Sequence, residues 1–285
     1  MVDPAGKSLE FFKMSGAGND FIVGDNRVGA WGAYNIPELA RGLCRRRVSV
    51  GADGLILLEN SKKARVRMRI FNPDGGESPM CGNGGRCAAR FAFLKVIAGR
   101  QMTMEATAGV LSAEVLTDGR VRLEMPVKLS APMPVSLELD GRVVGGYLVD
   151  SGVPHLVVFV RDIEKTPVET LGRRLRSHPS LGAAGANVDF VGPATAEGVI
   201  PVRTFERGVE AETLACGTGA AAVGWILHHV GDRPDAVRLG MRSGKVLEVE
   251  VHTDRGSAPV AITGEAALVY RGSISQEAIE EALGC

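Results

Sequence analysis

Aromatic residues are scarce, at 5% of 285, and no run approaches the roughly 18 consecutive apolar residues that a membrane-crossing helix needs. The opening stretch MVDPAGKSLEFF lacks the basic and then apolar regions of a secretory signal. A cytoplasmic protein with no membrane partner is therefore expected. Excess charge is also absent: 33 basic and 33 acidic side chains cancel, so no global field recruits nucleic acid or anionic lipid. The basic cluster Arg45 to Arg47 is short and reads as the end of the helix suggested by IPELARGLC, where cations favour the negative pole. Cysteine pairing is missing too. Five cysteines at 44, 81, 87, 216 and 285 are an odd number with no CxxC, which excludes a disulfide framework and gives no structural zinc spacing. No metal is expected.

Glycine, in contrast, is abundant at 37 residues, suiting tight turns and close backbone approach. Asp118-Gly119 and Asp140-Gly141 each sit between apolar-alternating runs and read as hairpin turns. Between them the prolines of PVKLSAPMP break any regular element and mark a boundary. The division is 1–127 for a first domain carrying Cys81, with the tail 272–285 returning to it, and 128–271 for a second carrying Cys216. The halves read alike. VRMRIFN leads to Cys81, an apolar helix to about Ala98, the strand QMTMEATA and a hairpin; VIPVRTFE leads to Cys216, an apolar helix to about Val230, AVRLGM and a hairpin. Duplication of one α+β unit follows. Periodicity puts Cys87, Phe91 and Leu94 on one core face, and Val223, Ile226 or Leu227, and Val230 on the other helix's core face.

In both halves a cysteine directly precedes Gly-x-Gly at a helix start: SPMCGNGG at Cys81 and LACGTGAA at Cys216. A helix N-terminus carries unpaired N–H groups and partial positive charge, which bind a carboxylate and favour thiolate. If the two helix starts face each other, a small chiral carbon between two sulfurs can lose a proton on one face and gain one on the other.

The segments KMSGAGNDFIVGD, GADGLI, IFNPDGGESPMCGNGGRCAARF, SGVPHLVVFV, ANVDFV and RTFERGVEAETLACGTGAA resemble the diaminopimelate epimerases, in that family's order. The resemblance implies an α+β fold of two pseudo-symmetric domains, each a curved, mostly antiparallel sheet or barrel around a central helix, with the active site in the cleft between them. It implies epimerisation of LL- to meso-diaminopimelate without pyridoxal phosphate or any other cofactor, and a homodimer. Cys81 and Cys216 would be the acid/base pair, with His155 and Glu206 assisting. Gly82, Asn83, Gly217 and Thr218 would hold the α-carboxylate. Asn19, Asn72, Asn187, Glu206 and Arg207 would line the pocket, Arg207 opposite the distal carboxylate. Two positions depart from many family members: Val153 stands where Asn is frequent, and Gly54 where some have Gln.

Two rivals remain at this level. A proline or hydroxyproline racemase-like enzyme typically reads SPCGTG at the second cysteine, where this chain has LACGTG. A non-catalytic amino-acid-binding or thiol redox protein would use glycine-rich helix starts for an anion, but CGNGGR lacks the Lys-Ser/Thr of a P-loop. No lysine lies in a recognisable pyridoxal setting. Activity is therefore expected to survive dialysis against a chelator and treatment with hydroxylamine; loss on dialysis, restored by one metal, would contradict this.

Overall fold

The computed structural model describes residues 8–125, 128–230, 235–252 and 260–284. Cys285 and residues 126 and 127 of the proline-rich segment lie outside that set. The chain forms two compact units, one made of the chain up to Leu123 with the segment from Glu265, the other of Glu124–Gly264.

In the first unit β1 (Leu9–Gly16) and β2 (Asn19–Asp25) pair antiparallel. Helix α1 (Ile36–Leu43) then leads to β3 (Gly54–Glu59), parallel to β2, and β4 (Val66–Phe71) returns antiparallel. A short β5 (Glu77–Ser78) folds back on β4. Helix α2 (Gly82–Leu94) follows, then β6 (Gln101–Ala106), parallel to β4, and β7 (Gly109–Val115), antiparallel to β6. A turn at Asp118-Gly119 leads into β8 (Val121–Met125).

The second unit begins with β9 (Met133–Leu139) and then repeats this order. Strands β10 (Arg142–Asp150) and β11 (Pro154–Phe159) pair antiparallel, and α3 (Val168–Arg176) leads to β12 (Asn187–Val191), parallel to β11. Antiparallel β13 (Val199–Glu206) carries the short β14 (Ala211–Thr213). Helix α4 (Gly217–Val230) leads to β15 (Ala236–Gly240), parallel to β13, and on to β16 (Val246–Val251) and β17 (Val260–Gly264). Even a turn repeats: Leu116 N–H donates to Arg120 O and Gly119 N–H to Leu116 O, as Met241 does to Lys245 and Gly244 to Met241. The units are copies of one fold.

They differ in how the first strand is flanked. In the second unit β9 precedes β10 and pairs with it through the Asp140-Gly141 turn, whose φ values of 52° and 72° fit a two-residue turn with both central residues left-handed. In the first unit the flanking strand is β18 (Ala267–Ile274), which pairs with β1 from Ser15↔Ala267 to Leu9↔Ile274 and is followed by α5 (Gln276–Leu283). Because β18 already lines up with β1 at Ala267, the returning segment begins before residue 272. Helix α5 lies so close on α1 that a Cβ at Gly42 would fall 2.3 Å from the Ala282 backbone.

Helices α2 and α4 are each packed among strands of their own unit, α2 on β1, β2, β3, β4 and β7, and α4 on β10, β11, β12, β15, β16 and β17. Their sequences explain it: apart from Asn83, Arg86 and Arg90 on α2 and the last turn of α4, apolar and small residues run around both helices, which buries most of each. Cys87 and Phe91 are buried as the periodicity requires, and Leu94 is half-buried. Helix α2 ends at Leu94 and not near Ala98, because Val96 turns left-handed at φ 57° and Ile97 N–H closes back on Ala92 O. On α4, Val223, Ile226 and Leu227 are buried, but Val230 in its last turn is 46% exposed.

Burial raises the Cys87 thiol from 9.0 to about 12. The unfolded chain ionises that thiol near its ordinary value, so its contribution to stability is complete below about pH 9 and is lost as pH rises toward about 12. Denaturant midpoints measured across this range should fall less steeply for Cys87→Ala than for the parent protein; equal slopes would remove Cys87 from the alkaline transition.

Candidate active site

At the head of α2, Cys81 is the residue before the first helical turn, with extended backbone at φ −144° and ψ 121°. Its Sγ accepts from Gly84 N–H at 3.4 Å, and its carbonyl accepts from Gly85 N–H at 2.7 Å. Cys216 stands in the same place on α4, its Sγ accepting from Gly219 N–H at 3.4 Å and its carbonyl from Ala220 N–H at 2.9 Å. Each cysteine follows a short hairpin clamped by a two-pronged ion pair. Arg69 Nε and Nη2 reach Glu77 at 2.9 and 2.7 Å, and Arg203 Nε and Nη2 reach Glu212 at 2.7 and 2.6 Å. Planar guanidinium and carboxylate match in this arrangement, which fixes the path of the chain into the cysteine.

Around Cys81 the first unit supplies amides. Asn83, buried, donates from Nδ2 to Asn19 Oδ1 at 2.6 Å, and Asn19 Nδ2 donates to Asp53 Oδ2 at 3.1 Å. Asp53 Oδ1 accepts from Arg46 at 2.7 Å, and Arg46 also holds Asp20, which pairs with buried Lys13 at 2.7 Å. Arg86 is fully buried one turn into α2 and donates from Nη2 to Asn83 Oδ1 at 2.6 Å, with Nη1 3.4 Å from Gly82 O. Its Nε is buried without a hydrogen-bond partner.

The second unit supplies a histidine instead. His155 and Asp189, both fully buried, meet with Nδ1 2.6 Å from Oδ2. The other Asp189 oxygen accepts from the Thr204 hydroxyl at 2.7 Å. With Nδ1–H given to the carboxylate, Nε2 faces Thr218 Oγ1 at 3.0 Å and Asn187 Nδ2 at 3.2 Å. Thr218 Oγ1 is in turn 3.4 Å from Cys216 Sγ. Asp189 presses so closely on α4 that a Cβ at Gly219 would meet its Oδ1 at 2.4 Å, so glycine is required there. Burial pushes the Cys216 thiol well above its usual value, and the charges of Glu206 and Asp189 add to the effect. Burial also raises the Glu206 carboxyl, with Asp189 adding to it.

Asn19, Gly82 and Asn83 thus gather at Cys81 within the first unit, and His155, Asn187, Gly217 and Thr218 at Cys216 within the second. Asn187 Oδ1 accepts from Arg207 N–H at 2.8 Å, while the half-buried Arg207 side chain has one long contact, 3.5 Å from Ala184 O. Asn72 is exposed in the turn between β4 and β5, where its backbone bonds Gly75 and Gly76. A Cβ at Gly54 would come within 2.9 Å of Phe71 O, so the space for a longer side chain has been closed by strand packing. Asp53, Arg86 and Asp189 were not among the residues expected from the sequence. Asp189 carried a legible signal, since an aspartate inside the apolar strand NVDFV must find a partner when buried. Among the described residues no three His, Cys, Asp or Glu side chains gather as metal ligands, and no helix is long and apolar enough to cross a membrane.

Replacing Asp189 by Leu leaves the His155 Nδ1–H and the Thr204 hydroxyl without their buried acceptor. The expected cost is about 1–3 kcal/mol for each group left unsatisfied, read from chemical denaturation, and Thr204→Val in the same background should recover part of it.

The family model for diaminopimelate epimerase matches residues 11–128 and 147–269. The chain is 41% identical to the diaminopimelate epimerase of Aquifex aeolicus (strain VF5), over 95% of this chain and 100% of that one. It is also 41% identical to that of Chlorobaculum tepidum, over 92% and 100%. Among solved structures, a PhzF-family phenazine biosynthesis protein of Bacillus anthracis superposes with a TM-score of 0.71 at 16% identity, covering 94% of this chain and 99% of that one. A probable proline racemase of Agrobacterium radiobacter K84 gives 0.68 at 19%, covering 97% and 98%. These two likenesses are of fold alone. The repeated strand order, the paired cysteines at equivalent helix starts and the extent of the sequence match agree: this chain belongs to the diaminopimelate epimerase family.

Proposed function

We propose that the protein interconverts LL- and meso-2,6-diaminopimelate, a step toward lysine and peptidoglycan precursors, with its own two thiols as acid and base. The observation that carries the reading is the equivalence of Cys81 and Cys216, each at the head of the buried helix of its unit and each sulfur accepting from the N–H three residues further along. One sulfur, as thiolate, takes the α-hydrogen as a proton. The electron pair left on the α-carbon delocalises into the adjacent carboxylate, and the other sulfur, as thiol, delivers its proton to the opposite face. The reaction ends with the thiol and thiolate exchanged and the carbon inverted. Helix N–H groups at Gly82, Asn83, Gly217 and Thr218 would bind the carboxylate on which charge builds up. His155, held by Asp189 and joined to Cys216 through Thr218, is suited to steady the thiol hydrogen bond there. Arg207 would pair with the distal carboxylate, Glu206 would assist the cysteines and line the pocket, and Asn19, Asn72 and Asn187 would complete it. A cytoplasmic homodimer is the setting this reading takes.

The racemase alternative has only a likeness of fold behind it, whereas the relatives at 36–41% identity are diaminopimelate epimerases. Stereoinversion of LL-diaminopimelate in deuterated water, with deuterium entering the α-position, tests the activity directly. Cys81→Ala and Cys216→Ala should each abolish inversion, while Cys44→Ala and Cys87→Ala should retain it. Arg207→Lys keeps the charge but not the planar fork, and should weaken substrate binding by about 1–3 kcal/mol. Turnover by either alanine variant at the two helix starts would overturn the two-thiol assignment.

A further inference from the structure

The amides near Cys81 form a chain with a direction. Arg86 Nη2 donates to Asn83 Oδ1, Asn83 Nδ2 to Asn19 Oδ1, and Asn19 Nδ2 to Asp53 Oδ2, at 2.6, 2.6 and 3.1 Å. An asparagine amide can be turned over, exchanging its oxygen and nitrogen, and in isolation neither Asn83 nor Asn19 has a preferred sense. The ends remove that freedom. A guanidinium only donates. The Asp53 carboxylate only accepts here, taking Arg46 on one oxygen and both Asn19 and the Asp20 N–H on the other.

We infer that Arg86 and Asp53 are positioning residues that fix the sense of this chain, so that Asn19 offers an N–H, and not a carbonyl oxygen, to the bound substrate. With Oδ1 and one Nδ2 hydrogen engaged, the second Nδ2 hydrogen of half-buried Asn19 is the group left for a ligand. That hydrogen suits a carboxylate; the reversed chain would present an oxygen and suit an ammonium group. A second observation agrees. Arg86 is fully buried, its Nε is unsatisfied, and among the described residues no carboxylate pairs with it. The buried Arg86 guanidinium is thus a positive charge at one end of the amide chain that an anionic ligand would offset.

This inference rests on the proposed substrate, and the test separates the two. Binding of diaminopimelate is measured by calorimetry in the Cys216→Ala background, where no turnover complicates the heat. Arg86→Gln replaces a donor-only end with an amide that can also accept, and should weaken binding about tenfold, as expected for a misdirected hydrogen bond to a charged group. Asp53→Ala, at a part-exposed position, should weaken it by about threefold or more. The deciding measurement repeats both changes with Asn19→Ala present. A residue acting through the Asn19 amide then has nothing left to orient, so the added loss should vanish; coupling of this kind is what a double-mutant cycle reports. Losses that persist without Asn19, or variants that bind as the parent does, would overturn the inference. Absence of binding by the parent itself would instead overturn the proposed substrate.

Discussion

Backbone N–H groups that a helix cannot satisfy at its own start are the constraint on which both half-sites depend. In α2 and α4 the first turns are built so that one such group rests on a cysteine sulfur, and the glycines around it leave the backbone open to a ligand. The rest of each unit holds that turn still. A hairpin locked by a two-pronged Arg–Glu pair delivers the cysteine, and a ring of strands encloses the helix behind it. Because the pairs Arg69–Glu77 and Arg203–Glu212 occupy matching hairpins, the two copies have kept the same means of aiming the chain.

What surrounds each cysteine has nevertheless diverged. The copy around Cys81 holds two amides between a guanidinium and a carboxylate. Near Cys216 a buried histidine is tied on one side to an aspartate and on the other to a threonine that also meets the sulfur. Helix positions that correspond in sequence, Asn83 and Thr218, therefore take different partners.

Much of the scaffold was legible because it is written in local patterns. The alternation in VRMRIFN and VIPVRTFE gave strands, Asp140-Gly141 gave a two-residue turn, and Cys-Gly-x-Gly before an apolar run gave two helix starts. Features that depend on remote partners were not legible. Val96 ends α2 by adopting a left-handed backbone that a β-branched residue rarely takes, and nothing in its neighbours announces it. The amide chain joins positions 19, 53, 83 and 86, so Arg86 and Asp53 acquire a role only once β2, the β3 approach and α2 are brought together. In the apolar face of α4, Val230 continues the period but lies in the final turn, past the strands that cover the helix.

The pairing of β18 with β1 also bears on how the protein is made. The second unit is one continuous stretch, complete once residue 264 has left the ribosome, whereas β1 must wait for a strand encoded more than two hundred residues later. Until then one edge of β1 is an unpaired ladder of donors and acceptors, open to any other extended chain nearby. Closing so long a loop adds little entropy beyond closing a moderate one, so the cost is one of time. Of the strands in its unit, β1 precedes one partner by most of the chain, and throughout that interval it presents an open edge.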